Sequence, residues 1–165
     1  MNRTLVRAAE RRDRRRLATA AHEVGHALTA HAHGLATESV RLKFGMLGGV
    51  TGGRCEWEHV DENSPRELRT AYMVALMGGH AAEIRFCQLY LGMDDRKAYK
   101  YGRDWADGDY LNFTHFRRHW RRYGVRITRD AAFAHAERAV ARHGSRIDEL
   151  TLQLDQRKYL DGGAL

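Results

Sequence analysis

The stretch Thr19-Ala20-Ala21-His22-Glu23-Val24-Gly25-His26-Ala27-Leu28 constrains this chain more than any other. Its residues and flanks are mostly apolar or small and contain no proline, which predicts a helix. On a helix, His22 and His26 are four residues apart and share one face, where both can bind one metal ion. Glu23 leans toward that ion without being placed to ligate it. A zinc hydrolase needs this arrangement: two neutral nitrogen ligands and a carboxylate that takes a proton from the attacking water.

A pattern of five residues with three fixed positions also occurs by chance. The alternative is a buried structural helix in which Glu23 pairs with an arginine. We prefer the metal site because buried polar groups without partners are costly, and a glutamate between two histidines on an apolar helix is otherwise hard to explain.

The length of 165 residues suits one domain with a hydrophobic core and is too short for a peptidase plus a second large module. We therefore predict a single domain over residues 1–165. Helical periodicity dominates the chain, and only residues 38–58 alternate as strands do. The expected fold class is mainly α, with a small β-hairpin or sheet beside the helix that carries His22 and His26.

Arginine dominates the net charge of +7, and it is concentrated at the start of the chain. Seven of the first sixteen residues are arginine. We interpret residues 1–16 as a basic helical lead-in whose arginines are solvated. Nucleic-acid binding is the alternative, but no aromatic residue interleaves these arginines as a stacking platform would require.

Cysteine content and hydropathy bear on the compartment. Cys55 and Cys87 are isolated and have no CxxC spacing, so the sequence predicts neither a cysteine zinc site nor a disulfide framework. No apolar run approaches the roughly 20 residues of a transmembrane helix, and the N-terminus lacks a signal-peptide core. We expect a soluble cytoplasmic protein with no membrane span.

Residues 38–58 predict the hairpin. Apolar and polar residues alternate up to a glycine-rich turn at 45–49, and a second extended run follows. Gly49, Val50 and Thr51 are candidates to hold an extended substrate, because a strand beside a metal can pair with a peptide backbone. A purely structural hairpin is equally consistent with this pattern.

The next helix is predicted to begin at Ser64-Pro65-Arg66-Glu67, with Ser64 as its N-cap and Pro65 in the first helical position. The pair Gly78-Gly79 predicts an interruption of that helix and the close approach of another backbone. Glu83 follows. It either orients a metal-binding histidine or pairs with an arginine.

Residues 93–109 are polar and predict a loop that includes a short helical turn. Asp104, Asp107 and Asp109 lie there, just before a helix with apolar residues up to Trp120. An aspartate at a helix start is usually an N-cap, but it can be a third metal ligand when its helix points at the metal site. Two further helices are predicted, at about 129–143 and 146–158.

The order of these motifs resembles the peptidase domain of the FtsH-type ATP-dependent zinc metalloproteases. The likeness covers about residues 14–165 and is carried by five segments: 22–28 (HEVGHAL, like HEAGHAL), 47–51 (LGGVT, like an LGVT-type strand), 77–83 (MGGHAAE, like GGRxAEE), 106–110 (ADGDY, where the family has an ASND-like segment) and 159–163 (YLDGG, like ETLDGDE).

The resemblance implies that His22, His26 and Asp109 bind Zn²⁺ and that Glu23 is the general base. The flanks of Asp109 differ from the family pattern, so Asp107, Asp104 and Glu83 are alternative third ligands. His80 is a candidate to stabilise the oxyanion.

The resemblance also leads us to expect a zinc metalloendopeptidase that acts on unfolded or flexible polypeptides. The family's ATPase module precedes its peptidase domain, whereas here about a dozen residues precede the motif helix and no phosphate-binding glycine loop is present. ATP-independent activity is therefore expected, with a separate ATPase or adaptor partner as an option and a homo-oligomer as a family-level expectation. The rivals are a catalytically silent zinc-binding regulatory module of the same fold and a basic nucleic-acid-binding protein.

Overall fold

The computed structural model describes residues 1–11 and 13–165; Arg12, one of the arginines of the lead-in, lies outside the described residues. The described chain forms seven α-helices and three strands. The helices are α1 (Arg3–Arg11), α2 (Arg14–Ala32), α3 (Arg66–Leu91), α4 (Asp95–Arg103), α5 (Asp107–Trp120), α6 (Arg129–Arg142) and α7 (Gly144–Arg157). The strands are β1 (Thr37–Phe44), β2 (Val50–Trp57) and β3 (Tyr159–Asp161). The predicted fold class, mainly α with a small sheet, is confirmed.

The three strands form one antiparallel sheet in the order β2-β1-β3. Val40 in β1 pairs with Cys55 on one side and with Leu160 on the other. The predicted hairpin is confirmed, whereas β3 was not predicted, because three residues are too few to show a period. Since β1 is the neighbour of β2 in the described sheet, the other edge of β2 has backbone groups available for a further strand.

Helices α2 and α3 cross with their backbones in contact. A Cβ on Gly25 would lie 2.5 Å from the carbonyl oxygen of Gly78 and 2.3 Å from the Cβ of Ala82. The predicted approach of another backbone is therefore confirmed. The predicted interruption at Gly78-Gly79 is wrong, because α3 runs unbroken from Arg66 to Leu91. Packing at this crossing offsets the roughly 1 kcal/mol that each helical glycine costs.

Replacing Gly25 by alanine is expected to destabilise the fold. Overpacking of this kind costs about 1–3 kcal/mol, and the better helix propensity of alanine returns at most about 1 kcal/mol. Urea unfolding measures the change. Gly108→Ala is the matched control, since its Cβ would meet no described atom within 4 Å. A Gly25→Ala protein as stable as the wild type would show that the helices can separate at no cost.

The lead-in differs from the prediction of one helical segment over residues 1–16. Helix α1 ends at Arg11, and Asp13 caps α2 by accepting the backbone N–H groups of Arg15 and Arg16. The last arginines of the lead-in therefore form the first turn of the motif helix. Leu5 and Ala9 of α1 are buried, so this helix also belongs to the core.

Two other helix predictions are corrected. Pro65, not Ser64, is the N-cap residue of α3, because the Ser64 hydroxyl instead accepts the backbone N–H of Asp61 at 3.1 Å and donates to the Asp61 carboxylate. Residues 95–103 form the nine-residue helix α4, where a loop with only a short helical turn was predicted. Its buried residues are Ala98 and Gly102, so it carries no apolar stripe that a sequence pattern could reveal. Helices α6 and α7 confirm the two predicted C-terminal helices.

No helix within residues 1–11 and 13–165 combines the length and the apolarity that crossing a membrane requires. Among the residues that the structure describes, Cys55 and Cys87 are both free thiols.

Candidate metal centre

Helix α2 carries the two histidines of the motif one turn apart. The Nε2 atoms of His22 and His26 are 3.0 Å from each other. The side chains are 9% and 5% exposed, so both rings are held within the fold beside a cleft. The helical spacing thus brings two imidazole nitrogens to one point, as the sequence predicted.

Asp109 completes the group from the first turn of α5. Its Oδ2 lies 3.1 Å from Nε2 of His22 and 3.3 Å from Nε2 of His26. One ligand atom from each of the three residues lies within 4.8 Å of the others, and the group could hold a metal ion. We call His22, His26 and Asp109 the candidate metal centre.

The other predicted acidic ligands lie elsewhere. Asp107 is exposed and pairs with Arg103. Asp104 is exposed at the end of α4. Glu83 is buried on α3 and contacts the side of His22 that faces away from Asp109. The structure therefore brings Asp109, and not these three, to the Nε2 atoms of the histidines.

The far side of each imidazole shows where its proton lies. Nδ1 of His22 donates to Oε2 of Glu83 at 2.9 Å, and Nδ1 of His26 donates to the carbonyl oxygen of Ala75 at 2.8 Å. The N–H of Gly79 also approaches Nδ1 of His26, at 3.3 Å. We place the proton on Nδ1 because the contact with the Ala75 carbonyl is shorter and a carbonyl oxygen can only accept. When both rings are neutral, their Nε2 lone pairs face Asp109, so that three acceptors converge. Such a set needs positive charge between its members, which either a proton on an imidazole or a metal ion would supply.

The electrostatics of the centre also favour positive charge. Burial alone would lower the pKa of His22, but its hydrogen bonds to Asp109 and Glu83 outweigh this and raise the pKa well above the ordinary value. Burial opposes the ionisation of Asp109, yet His26 and His22 hold the pKa of its carboxyl below the usual range. The carboxylate of Asp109 is therefore ionised and available to a cation.

Glu23 lies beside the centre and against strand β2. A Cβ on Gly53 would lie 2.3 Å from Cγ and 2.5 Å from Oε1 of Glu23, so the strand approaches this carboxyl only because residue 53 is glycine. Burial raises the pKa of Glu23, while the nearby His22 and His26 oppose the rise. A carboxyl with a raised pKa accepts a proton more readily, as a general base must.

Gly79 provides the room that the centre occupies. A Cβ at this position would lie 2.4 Å from Nε2 of His26 and 2.6 Å from Nε2 of His22. In the sequence, the Gly78-Gly79 pair indicated backbone packing alone, and this second role of Gly79 was not predicted. No sequence signal separates the two, because the contact joins side chains of α2 to the backbone of α3.

The centre opens into a cleft of about 840 Å³. Strand β2 forms one side of it, and α5 contributes Asp109 and Phe116 to the other. Trp57, Tyr72 and Phe116 form an aromatic wall, with ring centroids 5.0 Å apart for the first pair and 5.1 Å for the second. This wall was not predicted, because Tyr72 and Phe116 have the spacing of ordinary core positions on their helices.

The other residues predicted for the site lie at different distances from the cleft, and only some of them line it. Thr51 lines the cleft, whereas Gly49 lies in the turn before β2 and Val50 is the first residue of that strand. His80 is fully buried, with Nδ1 at 2.7 Å from the Tyr110 hydroxyl and Nε2 at 3.1 Å from the carbonyl oxygen of Tyr99. Because both of its nitrogens are engaged inside the core, His80 is not placed to stabilise an oxyanion in the cleft.

A comparison of the chain with models of known protein families and with curated proteins found no match. The resemblance to the FtsH-type peptidase domain stays a prediction, and the function has to be argued from the geometry of the site.

Proposed function

We propose that this protein is a zinc-dependent metalloendopeptidase that hydrolyses peptide bonds in unfolded or flexible polypeptides. One observation carries the proposal. Nε2 of His22, Nε2 of His26 and Oδ2 of Asp109 converge at the base of a cleft, beside the buried carboxyl of Glu23 and an available strand edge.

The donor set suits catalytic zinc. Catalytic sites use three protein ligands and keep one position open, whereas structural sites are closed by four. Two imidazole nitrogens and one carboxylate oxygen fit the first pattern, and the hydrogen bonds from the Nδ1 atoms to Glu83 and to the carbonyl of Ala75 fix both rings. When bound, the metal supplies Lewis-acid chemistry: it polarises the substrate carbonyl and lowers the pKa of water to about 7.

Glu23 handles the proton in this proposal. Its carboxylate accepts a proton from the water that attacks the peptide carbonyl, and then delivers that proton to the leaving nitrogen. Because residue 53 is glycine, β2 packs closely against the side chain of Glu23, which lines the cleft. Glu23 is not one of the three converging ligands, so its role in proton transfer can be tested separately from metal binding.

The form of the substrate follows from strand β2. An extended peptide can add to the available edge of β2 through main-chain hydrogen bonds, which give affinity with little sequence selectivity. Folded proteins hide such backbone groups, so unfolded or flexible segments are favoured. The aromatic wall offers an apolar surface on which a side chain of the bound peptide can pack.

Gly53→Ala is expected to reduce cleavage by at least about tenfold while zinc stays bound, because even a displacement of about 1 Å can cost a catalytic group 10²-fold. The added Cβ would overlap the side chain of Glu23 and not the three ligands. Initial rates and bound zinc are measured on the same samples. Undiminished cleavage would show that Glu23 need not occupy its observed position.

The proposal is tested with one polypeptide in two states. Zinc-loaded protein is incubated with disulfide-reduced, alkylated lactalbumin and with the native form, and mass spectrometry identifies new termini. We expect internal cleavage of the unfolded form, little cleavage of the native form, and none of either after chelation. Zinc binding without any cleavage would favour the silent regulatory module, and absence of zinc binding would contradict both.

A further inference from the structure

Arg15 lies in the first turn of α2, two helical turns before His22. The Asp13 cap fixes its backbone, since the N–H of Arg15 donates to Oδ1 of Asp13 at 2.9 Å. The side chain is 22% exposed, and its Nη1 lies 3.7 Å from Oε1 of Glu83. Arg15 is therefore the cation that faces the carboxylate behind the candidate metal centre.

Glu83 joins Arg15 to His22. Its side chain is 1% exposed. Oε2 accepts the hydrogen bond from Nδ1 of His22, while Oε1 faces Arg15. In the part of the chain that the structure describes, neither Oε1 of Glu83 nor Nη1 of Arg15 has a hydrogen-bond partner. Arg15 and His22 thus face the two oxygens of one carboxyl group, so Arg15 is placed to hold the Glu83 side chain against the His22 ring.

Trp105 joins Arg15 to the segment that carries Asp109. The guanidinium of Arg15 lies over the indole ring of Trp105, which stands in the short link between α4 and α5, four residues before Asp109. Trp105 is 54% exposed, so burial alone does little to hold it. A cation–π contact with a planar guanidinium ties the link to α2.

We propose that Arg15 is a positioning residue that couples His22 to Asp109, through Glu83 on one side and Trp105 on the other. Two of the three ligands come from α2 and the third from α5, so the geometry of the centre depends on how these helices are held together. Arg15 contacts Glu83, which lies behind His22, and Trp105, which comes just before Asp109 in the chain. The inference rests on the proposed function, because it concerns the same centre.

The test compares two arginines that are closely matched. Arg16 follows Arg15 in the same turn, its side chain is 25% exposed, and it pairs with Asp155 on α7, away from Glu83 and Trp105. Zinc affinity of Arg15→Met, Arg16→Met and Trp105→Ala is measured by competition with a chromophoric chelator, without substrate. We expect Arg15→Met and Trp105→Ala to weaken zinc binding by about 10–100-fold, the usual effect of losing an outer partner of a ligand. Arg16→Met should leave zinc affinity unchanged.

Further variants separate coupling from independent effects. The double variant Arg15→Met with Trp105→Ala should lose no more affinity than Arg15→Met alone, because both changes break one chain of contacts. Arg15→Lys keeps a charge for Glu83 but lacks the planar group, so an intermediate loss is expected. If Arg15→Met fails to fold, Trp105→Ala at its half-exposed position still tests the link. Additive losses in the double variant would overturn the coupling.

The outcomes distinguish this inference from the proposed function. Unchanged zinc affinity in Arg15→Met, with wild type that binds zinc and cleaves, overturns the inference alone. A raised KM at unchanged affinity would make Arg15 a substrate contact instead. A readout without metal is the ¹⁵N spectrum of the His22 ring in the apo protein. Arg15→Met should shift the Nδ1 signal and Arg16→Met should not, and identical spectra would overturn the inference even if the wild type bound no zinc.

Discussion

Glu23→Gln is expected to lower the rate of peptide cleavage by about 10²–10⁴-fold, the usual contribution of a general acid–base group. Glutamine has the shape of glutamate, so it fits against Gly53 as the native side chain does. It cannot accept the proton of the attacking water at neutral pH. Zinc should stay bound, because the three converging ligand atoms belong to His22, His26 and Asp109. Initial rates on unfolded casein and the zinc content of the same sample measure the two properties.

The control for this change is Glu137→Gln, which removes the same charge at an exposed position on α6. It should cleave and bind zinc as the wild type does. A Glu23→Gln protein with full activity would remove Glu23 from proton transfer. One that loses both zinc and activity would show that Glu23 helps to hold the metal, and its catalytic role would then have no support.

Gly79→Ala is expected to weaken zinc binding by more than about 100-fold, beyond the 10–100-fold that follows from losing an outer partner alone. The new Cβ would overlap Nε2 of both His26 and His22, and these atoms have to move for it to fit. Metal–ligand distances tolerate only about 0.2 Å of change. Alanine is also the better helix former, so α3 itself should persist. Chelator competition gives the affinity, and circular dichroism reports the helix content.

Gly108→Ala is the matched control, because it also lies on a helix and sits next to the ligand Asp109. Its Cβ would meet no atom within 4 Å in the described parts of the chain. Its zinc affinity should equal that of the wild type. If Gly79→Ala binds zinc as tightly as Gly108→Ala, the ligand atoms do not meet where the structure places them.

The sequence predicted those parts of the site that depend on helical spacing. His22, Glu23 and His26 lie within two turns of one helix, so local geometry alone brings them together. Asp109 is different, because the residues left Asp104, Asp107 and Asp109 open and only the family resemblance favoured the last. Which aspartate reaches the histidines depends on where α5 begins and on how it packs, and neither is encoded by spacing.

The fold was predictable where the local sequence is clear, as in α2 with its run of apolar and small residues and in α6 and α7 with their apolar faces. The fold was less predictable where contacts between distant segments determine the local structure. Helix α4 has almost no apolar stripe, and β3 exists only because β1 offers it an edge. The break predicted at Gly78-Gly79 followed from helix propensity, which the backbone contact with Gly25 overrides. The contact between Arg15 and Trp105 was also not predicted. Neither the polar first turn of α2 nor the link that contains Trp105 has a periodic pattern that would indicate it.

The most direct test of the central claim is a zinc titration of the metal-free protein, with cleavage of fluorescent unfolded casein measured at each step. If His22, His26 and Asp109 form one catalytic zinc site, activity should start near zero, rise in proportion to added zinc and level off at one equivalent per chain. Replacing His26 by alanine should abolish this rise. Cleavage that is independent of zinc, or no cleavage at any zinc concentration, would contradict the claim that this chain is a zinc peptidase.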